Sequence, residues 1–217
     1  MVDAKDIEYF LLKPENFDEV AKLIEEDYFP REPLCMGFRV TASARSGMTS
    51  KRLQECLASG VSFGARDVRT GALAGVGLSY MKTKAEAVSA KPLDERKTEY
   101  EIKVCGLCDE IRSKVNIFEE SNVEKILYMF VLCVRENYGG CGIGKKLVPM
   151  SIDQGKASGC QLVLVTVSNK LSSRIFTALG FETRYSVDVS TLTNDWELDL
   201  SAMKGNTVIH IVTKSLQ

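Results

Sequence analysis

Apolar positions along the chain repeat with two periods, and the switches between them lay out the elements. Ile7 to Leu12 predicts a short strand, and from Asn16 the period becomes helical, with Phe17, Val20, Ala21, Ile24 and Tyr28 on one stripe. Asn16 with Glu19 three residues on reads as a capping-box start. Pro30 and Pro33 end that helix in an irregular segment holding Arg31 and Glu32. A second helix is expected over Ser50 to Ala58. Val61 to Asp67 and Leu73 to Tyr80 read as strands joined through Arg69-Thr70-Gly71, hence an antiparallel hairpin. Lys82 to Asn122 is more polar and reads as helical in part.

Lys125 to Val134 is rich in β-branched and aromatic residues and apolar on both faces, which places it in the middle of a sheet. Gly139 to Gly144 follows, then a helix to about Ala157, then Gln161 to Val167 as another buried strand. Such a strand-loop-helix-strand unit predicts a right-handed parallel crossover. Ser172 to Leu179 reads as a short helix closed by Gly180, and Phe181 to Val189 and Thr207 to Thr213 as the last strands. No repeat or linker divides the chain, so residues 1–217 are expected to form one α/β domain.

Composition narrows the class. Lys and Arg number 28 against 29 Asp and Glu, and 45% of the 217 residues are hydrophobic, which excludes disorder as the main state. The net charge of −1 lacks the positive excess of a protein that binds nucleic acid by neutralising phosphates, so no nucleic-acid partner is expected. The longest apolar run, Ile126 to Val134, is less than half the ~20 residues that cross a bilayer, so no membrane association is expected. The N-terminus lacks a signal-peptide core, and the cytoplasm is the expected compartment. Seven cysteines at irregular spacings read as free, mostly core thiols. Cys105 and Cys108 have the spacing of half a zinc site without a second pair or nearby His, so no metal is expected. His210, the single histidine, is expected to be a hydrogen-bonded residue of the last strand.

The sharpest local signal is Tyr138-Gly139-Gly140-Cys141-Gly142-Ile143-Gly144-Lys145-Lys146, between a buried strand and a helix. Glycines let the backbone approach an anion, and the first N–H groups of a helix lack internal partners, so a phosphate-bearing ligand fits. The dinucleotide spacing G-x-G-x-x-G fails because Lys145 stands where its last glycine belongs. The Walker spacing matches as far as Lys145, but Lys146 takes the Ser or Thr place, leaving a nucleoside-triphosphate site as a weaker alternative.

Gly142-x-Gly144 after Leu132-Cys133-Val134, followed by Asn169 and Phe176-Thr177-Ala178-Leu179-Gly180-Phe181, resembles the acetyl-coenzyme A motif of the GNAT superfamily of N-acetyltransferases. Over almost its whole length the chain resembles the insect arylalkylamine N-acetyltransferases, further through Tyr28-Phe29-Pro30-Arg31-Glu32-Pro33-Leu34, Val115-Asn116-Ile117-Phe118, Asn137-Tyr138, Ser168 and Ser172. The resemblance implies the GNAT fold: a mixed, mostly antiparallel central sheet flanked by helices and splayed between its fourth and fifth strands. It implies a monomeric enzyme that moves acetyl from acetyl-coenzyme A to a small arylalkylamine of the dopamine, serotonin or tyramine type.

The same resemblance assigns residues. Glu32 carries over as general base, with Ser168 and Ser172 at the two active-site serine positions, able to share a face if both are helical. Leu132, Cys133 and Val134 would pair through their backbone with the pantetheine arm. Gly139, Gly140, Cys141, Gly142, Ile143, Gly144 and Lys145 would surround the pyrophosphate, and Val167, Ser168, Asn169, Ser172 and Phe176 would complete the cofactor site. Tyr28 and Phe29 would wall the amine pocket beside Glu32. Two positions depart from the family pattern: Gly139 replaces an Arg or Gln, and Phe176 replaces the tyrosine that protonates the leaving thiolate, so Ser172 or solvent must do so. The alternatives are a coenzyme A-binding protein with little or no transfer, and an acetyltransferase for a non-aromatic amine such as a polyamine.

Overall fold

The computed structural model describes residues 4–88, 98–192 and 196–217, with side chains described outside residues 4, 43–49 and 88. Seven strands make one sheet: β1 (Ile7–Leu11), β2 (Phe63–Asp67), β3 (Leu73–Thr83), β4 (Lys125–Val134), β5 (Leu162–Val167), β6 (Glu182–Asp188) and β7 (Val208–Ser215), in the order β1-β2-β3-β4-β5-β7-β6. Neighbours are antiparallel except β4 and β5, which run parallel across the predicted crossover. Eight α-helical segments are described: α1 (Phe17–Leu23), α2 (Pro33–Gly37), α3 (Ala42–Ala58), α4 (Lys84–Val88), α5 (Gly106–Ser113), α6 (Ile117–Glu120), α7 (Ile143–Ala157) and α8 (Lys170–Ala178). None is long and apolar enough to cross a membrane.

β4 is buried on both faces, as its composition requires. Tyr128, Val131 and Cys133 join the larger core with Leu23, Leu57, Leu107 and Ile111 from α1, α3 and α5. Leu127 and Met129 pack on the opposite face with Val148 of α7 and Phe176 of α8. The parallel pairing of β4 with β5 begins at Ile126 opposite Leu162 and stops at Met129 opposite Val165. Beyond that point β4 continues against β3 to Val134, and β5 against β7 to Val167. The sheet therefore forks between its fourth and fifth strands. A register shift in the β3–β4 ladder leaves Phe130 without an opposite residue just where the fork opens.

Several sequence expectations shift. The second helix starts at Ala42 rather than Ser50, because its polar N-terminal half has no apolar stripe to mark it. Asn16 caps differently: its Oδ1 accepts from Lys13 N–H at 2.9 Å and its amide donates to Glu19 at 3.0 Å, so the capping box belongs to the turn Pro14–Asn16. The segment after α1 is ordered, continuing as a π turn (Ile24–Tyr28), a 3-10 turn (Phe29–Arg31) and α2. The helix expected from Ser172 begins at Lys170, capped by Asn169, whose side chain accepts from Leu171 N–H at 2.8 Å. His210 lies on β7 with Ser186 Oγ 2.7 Å from its Nδ1.

Candidate active site

The fork opens into a cleft of about 470 Å³ running from Glu32 and Tyr28, along β4, to the glycine loop. Backbone direction along its wall follows from one bond. Arg135 N–H donates to the Ala74 carbonyl near the start of β3, at 2.9 Å. In a regular antiparallel ladder the N–H and C=O of alternate residues point the same way. Cys133 and Val131 therefore face β3, while Leu132 and Val134 turn theirs to the edge that β5 has left. Of the three residues expected to pair with a ligand arm, Leu132 and Val134 offer backbone groups and Cys133 does not. Burial pushes the Cys133 thiol up to about 12, the nearby Arg31 charge opposing only in part, so it is no thiolate nucleophile.

The glycine loop closes the other end. Tyr138 anchors its entry, donating its hydroxyl to Asp67 at 3.0 Å in the hairpin. Gly140 (φ +79°) and Gly142 (φ +73°) take the left-handed conformation that side chains resist, and nothing lies within 4 Å of where a Cβ would stand. Gly142 is the N-cap of α7, leaving the first N–H groups of that helix without internal partners beside open space. This end fits the diphosphate of acetyl-coenzyme A, and the bare edge of β4 fits an extended amide-bearing arm. Gly139, Gly140, Gly142, Ile143, Gly144 and Lys145 line the cleft; Cys141 does not, its thiol lying 3.8 Å from the Gly139 carbonyl.

Glu32 is held by the sequence on both sides. The residue before a proline avoids helical backbone, and Pro33 suits the first position of α2, so Glu32 becomes an extended N-cap (φ −77°, ψ 120°). Its Oε2 accepts from Cys35 N–H at 2.6 Å and its Oε1 from the Ser168 hydroxyl at 2.8 Å. Only 6% exposed, it nevertheless lines the cleft. Two donors fix the carboxylate while lone pairs remain for a substrate proton.

Ser168 and Ser172 do not share a helical face, because Ser168 lies between β5 and α8, before the helix begins. Ser172 sits in the first turn of α8 and donates to the Asn169 carbonyl at 2.9 Å. Ser168, Asn169, Ser172 and Phe176 line the cleft; Val167 is buried behind it. Phe176 stacks edge-on against Phe181, ring centres 5.0 Å apart. Tyr28 lines the cleft, where burial pushes its hydroxyl well above the usual value. Phe29 instead faces an apolar recess of about 20 Å³ beneath it, with Ile24, Leu53 and Tyr100, which excludes it from the cleft wall.

Besides Asp67, sequence reasoning missed two arginines. Arg31 crosses from the Tyr28–Glu32 segment to β4, its Nη2 donating to the Val134 carbonyl at 2.8 Å. Arg112 of α5 pins the fork: its Nη1 donates to the hydroxyls of Tyr128 (2.6 Å) and Thr166 (3.2 Å), themselves 3.1 Å apart across β4 and β5. Asp109 pairs with the same guanidinium. A cation close behind a proline-bounded Glu, and a basic residue late in a polar helix, carry no sequence signal that distinguishes them from surface charge.

Residues 114–181, from just before α6 to just after α8, match the Acetyltransferase (GNAT) family model. A sequence search of curated proteins gives no match. Among solved structures, the chain is similar to arylalkylamine N-acetyltransferase 2 from Aedes aegypti, with TM-score 0.82 and 22% identity over 98% of this chain and 100% of that one. It is equally similar to the Drosophila melanogaster polyamine N-acetyltransferase that forms N-acetylagmatine, with TM-score 0.82 and 18% identity over 97% and 100%. The NatC complex bound to a Gag peptide and coenzyme A lies further off, with TM-score 0.57 and 17% identity over 98% and 99%. The forked sheet, the glycine-capped helix and the comparisons converge on the fold: this chain has the GNAT fold, with residues 114–181 matching the family model and 97 to 98% of its length superposing on the mosquito arylalkylamine N-acetyltransferase structures.

Proposed function

We propose that the protein is an acetyl-coenzyme A-dependent N-acetyltransferase for a small primary monoamine with an aryl or apolar body, working by direct transfer. One observation carries this reading: a carboxylate held by Ser168 and the Cys35 amide borders the same cleft as the edge of β4 that β5 has left. The thioester supplies the acetyl group. Glu32 accepts the ammonium proton, directly or through water, so that the amine attacks neutral. Leu132 and Val134 hold the arm through their open-edge backbone, and an N–H on that edge steadies charge developing on the carbonyl oxygen. The N-terminus of α7, with Lys145, takes the diphosphate. Ser172 passes a proton to the departing thiolate as it takes one from solvent water. No acyl-cysteine step is needed, since the Cys133 thiol is held protonated.

Charge in the cleft separates this reading from a polyamine acceptor. Among the described residues, the carboxylates lining the cleft are Asp27 and Glu32. Asp27 is taken by Arg135 at 2.7 Å and Arg31 at 3.6 Å, which leaves Glu32 alone for an ammonium. A second cationic group on the acceptor finds no free counter-ion among the described residues of this wall. Purified protein with acetyl-coenzyme A should therefore release thiol with aryl and apolar monoamines well above its rate with agmatine or spermidine. Thiol release at background with every amine, alongside tight acetyl-coenzyme A binding, would instead make it a coenzyme A-binding protein.

A further inference from the structure

Arg31 bridges the segment that carries the base and β4, with part of its guanidinium left over. Its Nε donates to the Asp27 carbonyl at 2.6 Å and its Nη2 to the Val134 carbonyl at 2.8 Å, with Cys133 Sγ at 3.7 Å. Val134 is one of the two residues whose backbone faces the open edge of β4, so the guanidinium lies on the track that an extended ligand must follow. Two of its nitrogens are anchored, while Nη1 bonds nothing among the described residues and the side chain stays 41% exposed beside the cleft. Its charge is only loosely matched, because Asp27 lies nearer to Arg135 than to Arg31. Gly139 and Gly140, which also line the cleft, bring no side-chain donor.

We propose that Arg31 is a binding residue for the pantetheine arm, donating from Nη1 to an amide or hydroxyl oxygen of the arm while Nη2 remains on Val134. The Val134 carbonyl has a second lone pair, so an arm N–H can share it with the guanidinium. Since Glu32 is the next residue, the contact also ties the segment that carries the base to the strand that carries the ligand. A planar fork anchored at two points and presenting a third is a geometry that Arg provides and Lys does not.

The inference rests on the acyltransferase reading, and the test separates the two. Calorimetry on wild type, Arg31→Met and Arg31→Lys would use acetyl-coenzyme A, acetyl-pantetheine and the 3′-phospho-ADP head as titrants. Arg31→Met should weaken acetyl-coenzyme A and acetyl-pantetheine by the same factor, about tenfold, with the head fragment unchanged; one charge-assisted hydrogen bond is worth roughly that much. Arg31→Lys, which keeps the charge and guards against a misfolded Met variant, should recover only part of the arm affinity. Equal arm affinity in wild type and Arg31→Lys would overturn the inference, as would a loss on the head fragment as large as on the arm. Absence of any acetyl-coenzyme A binding by the wild type would instead remove the acyltransferase reading itself.

Discussion

At the scale of single residues, the proposal concentrates proton transfer on two side chains that the structure constrains in opposite ways. Glu32 is fixed by two donors, so Glu32→Gln keeps the shape and can still accept from Ser168 while losing the ability to take a proton. Turnover should fall by about 10²-fold or more, the usual size of a general-base contribution, with acetyl-coenzyme A affinity held. Steady-state rates beside calorimetry check this, and a wild-type pH–rate profile in the variant would remove Glu32 from the mechanism. Ser172 donates its hydrogen to the Asn169 carbonyl, but a hydroxyl rotates and keeps acceptor capacity. Ser172→Ala should lower kcat and kcat/KM together, the mark of an interaction made only in the transition state. Unchanged single-turnover rate, with a melting temperature lowered by loss of the hydroxyl's bond to the Asn169 carbonyl, would retire the proton-donor assignment.

At the scale of elements, what could be read from the chain was whatever rests on local patterning. The two-faced apolar run of β4, the hairpin and the glycine-to-helix junction all announce themselves through residue type and spacing. The fork is a different matter: no residue marks Met129 as the last one paired with β5, and the resemblance alone pointed to the opening. Arg31, Arg112 and Asp67 escaped for the same reason, because each gains its meaning from a partner more than 50 residues away. Asp67 is instructive. Burial would push its carboxyl up, yet hydrogen bonds from the Arg69 N–H, the Tyr138 hydroxyl and Thr70, with the Arg69 charge, outweigh it and hold the pKa below the usual range. Tyr138→Phe removes one of those donors and frees the entry to the glycine loop. Affinity for the 3′-phospho-ADP head should drop several-fold while acetyl-pantetheine binding is kept, the reverse of the Arg31→Met pattern. A head affinity equal to wild type would show that the loop holds its shape without this anchor.

At the scale of the whole molecule, the segment carrying the base is fastened to the C-terminal part of the chain through Asp199. Its N–H donates to the Gly37 carbonyl at 2.8 Å at the end of α2, and its carboxylate accepts from Arg39 at 2.6 Å. Packing there is close, since a Cβ on Gly37 would meet Met203 at 2.9 Å. The Ser201 hydroxyl first, then Arg39 and the Ala202 N–H, hold the Asp199 carboxyl well below its ordinary value. Asp67 is shifted the same way, so both groups act with one sign. As pH falls through about 4, the unfolded chain takes up protons at these positions while the folded chain does not yet. Their contribution to stability is therefore full above that point and is lost progressively below it. Melting temperature should be level from pH 7 to about 5 and fall steeply below about 4. Asp199→Asn should melt lower at pH 7 and fall less on acidification, so that the two curves converge at low pH. Curves that stay parallel across the whole range would mean that Asp199 fastens α2 through its shape alone, and that its charge has no part in keeping Glu32 at the mouth of the fork.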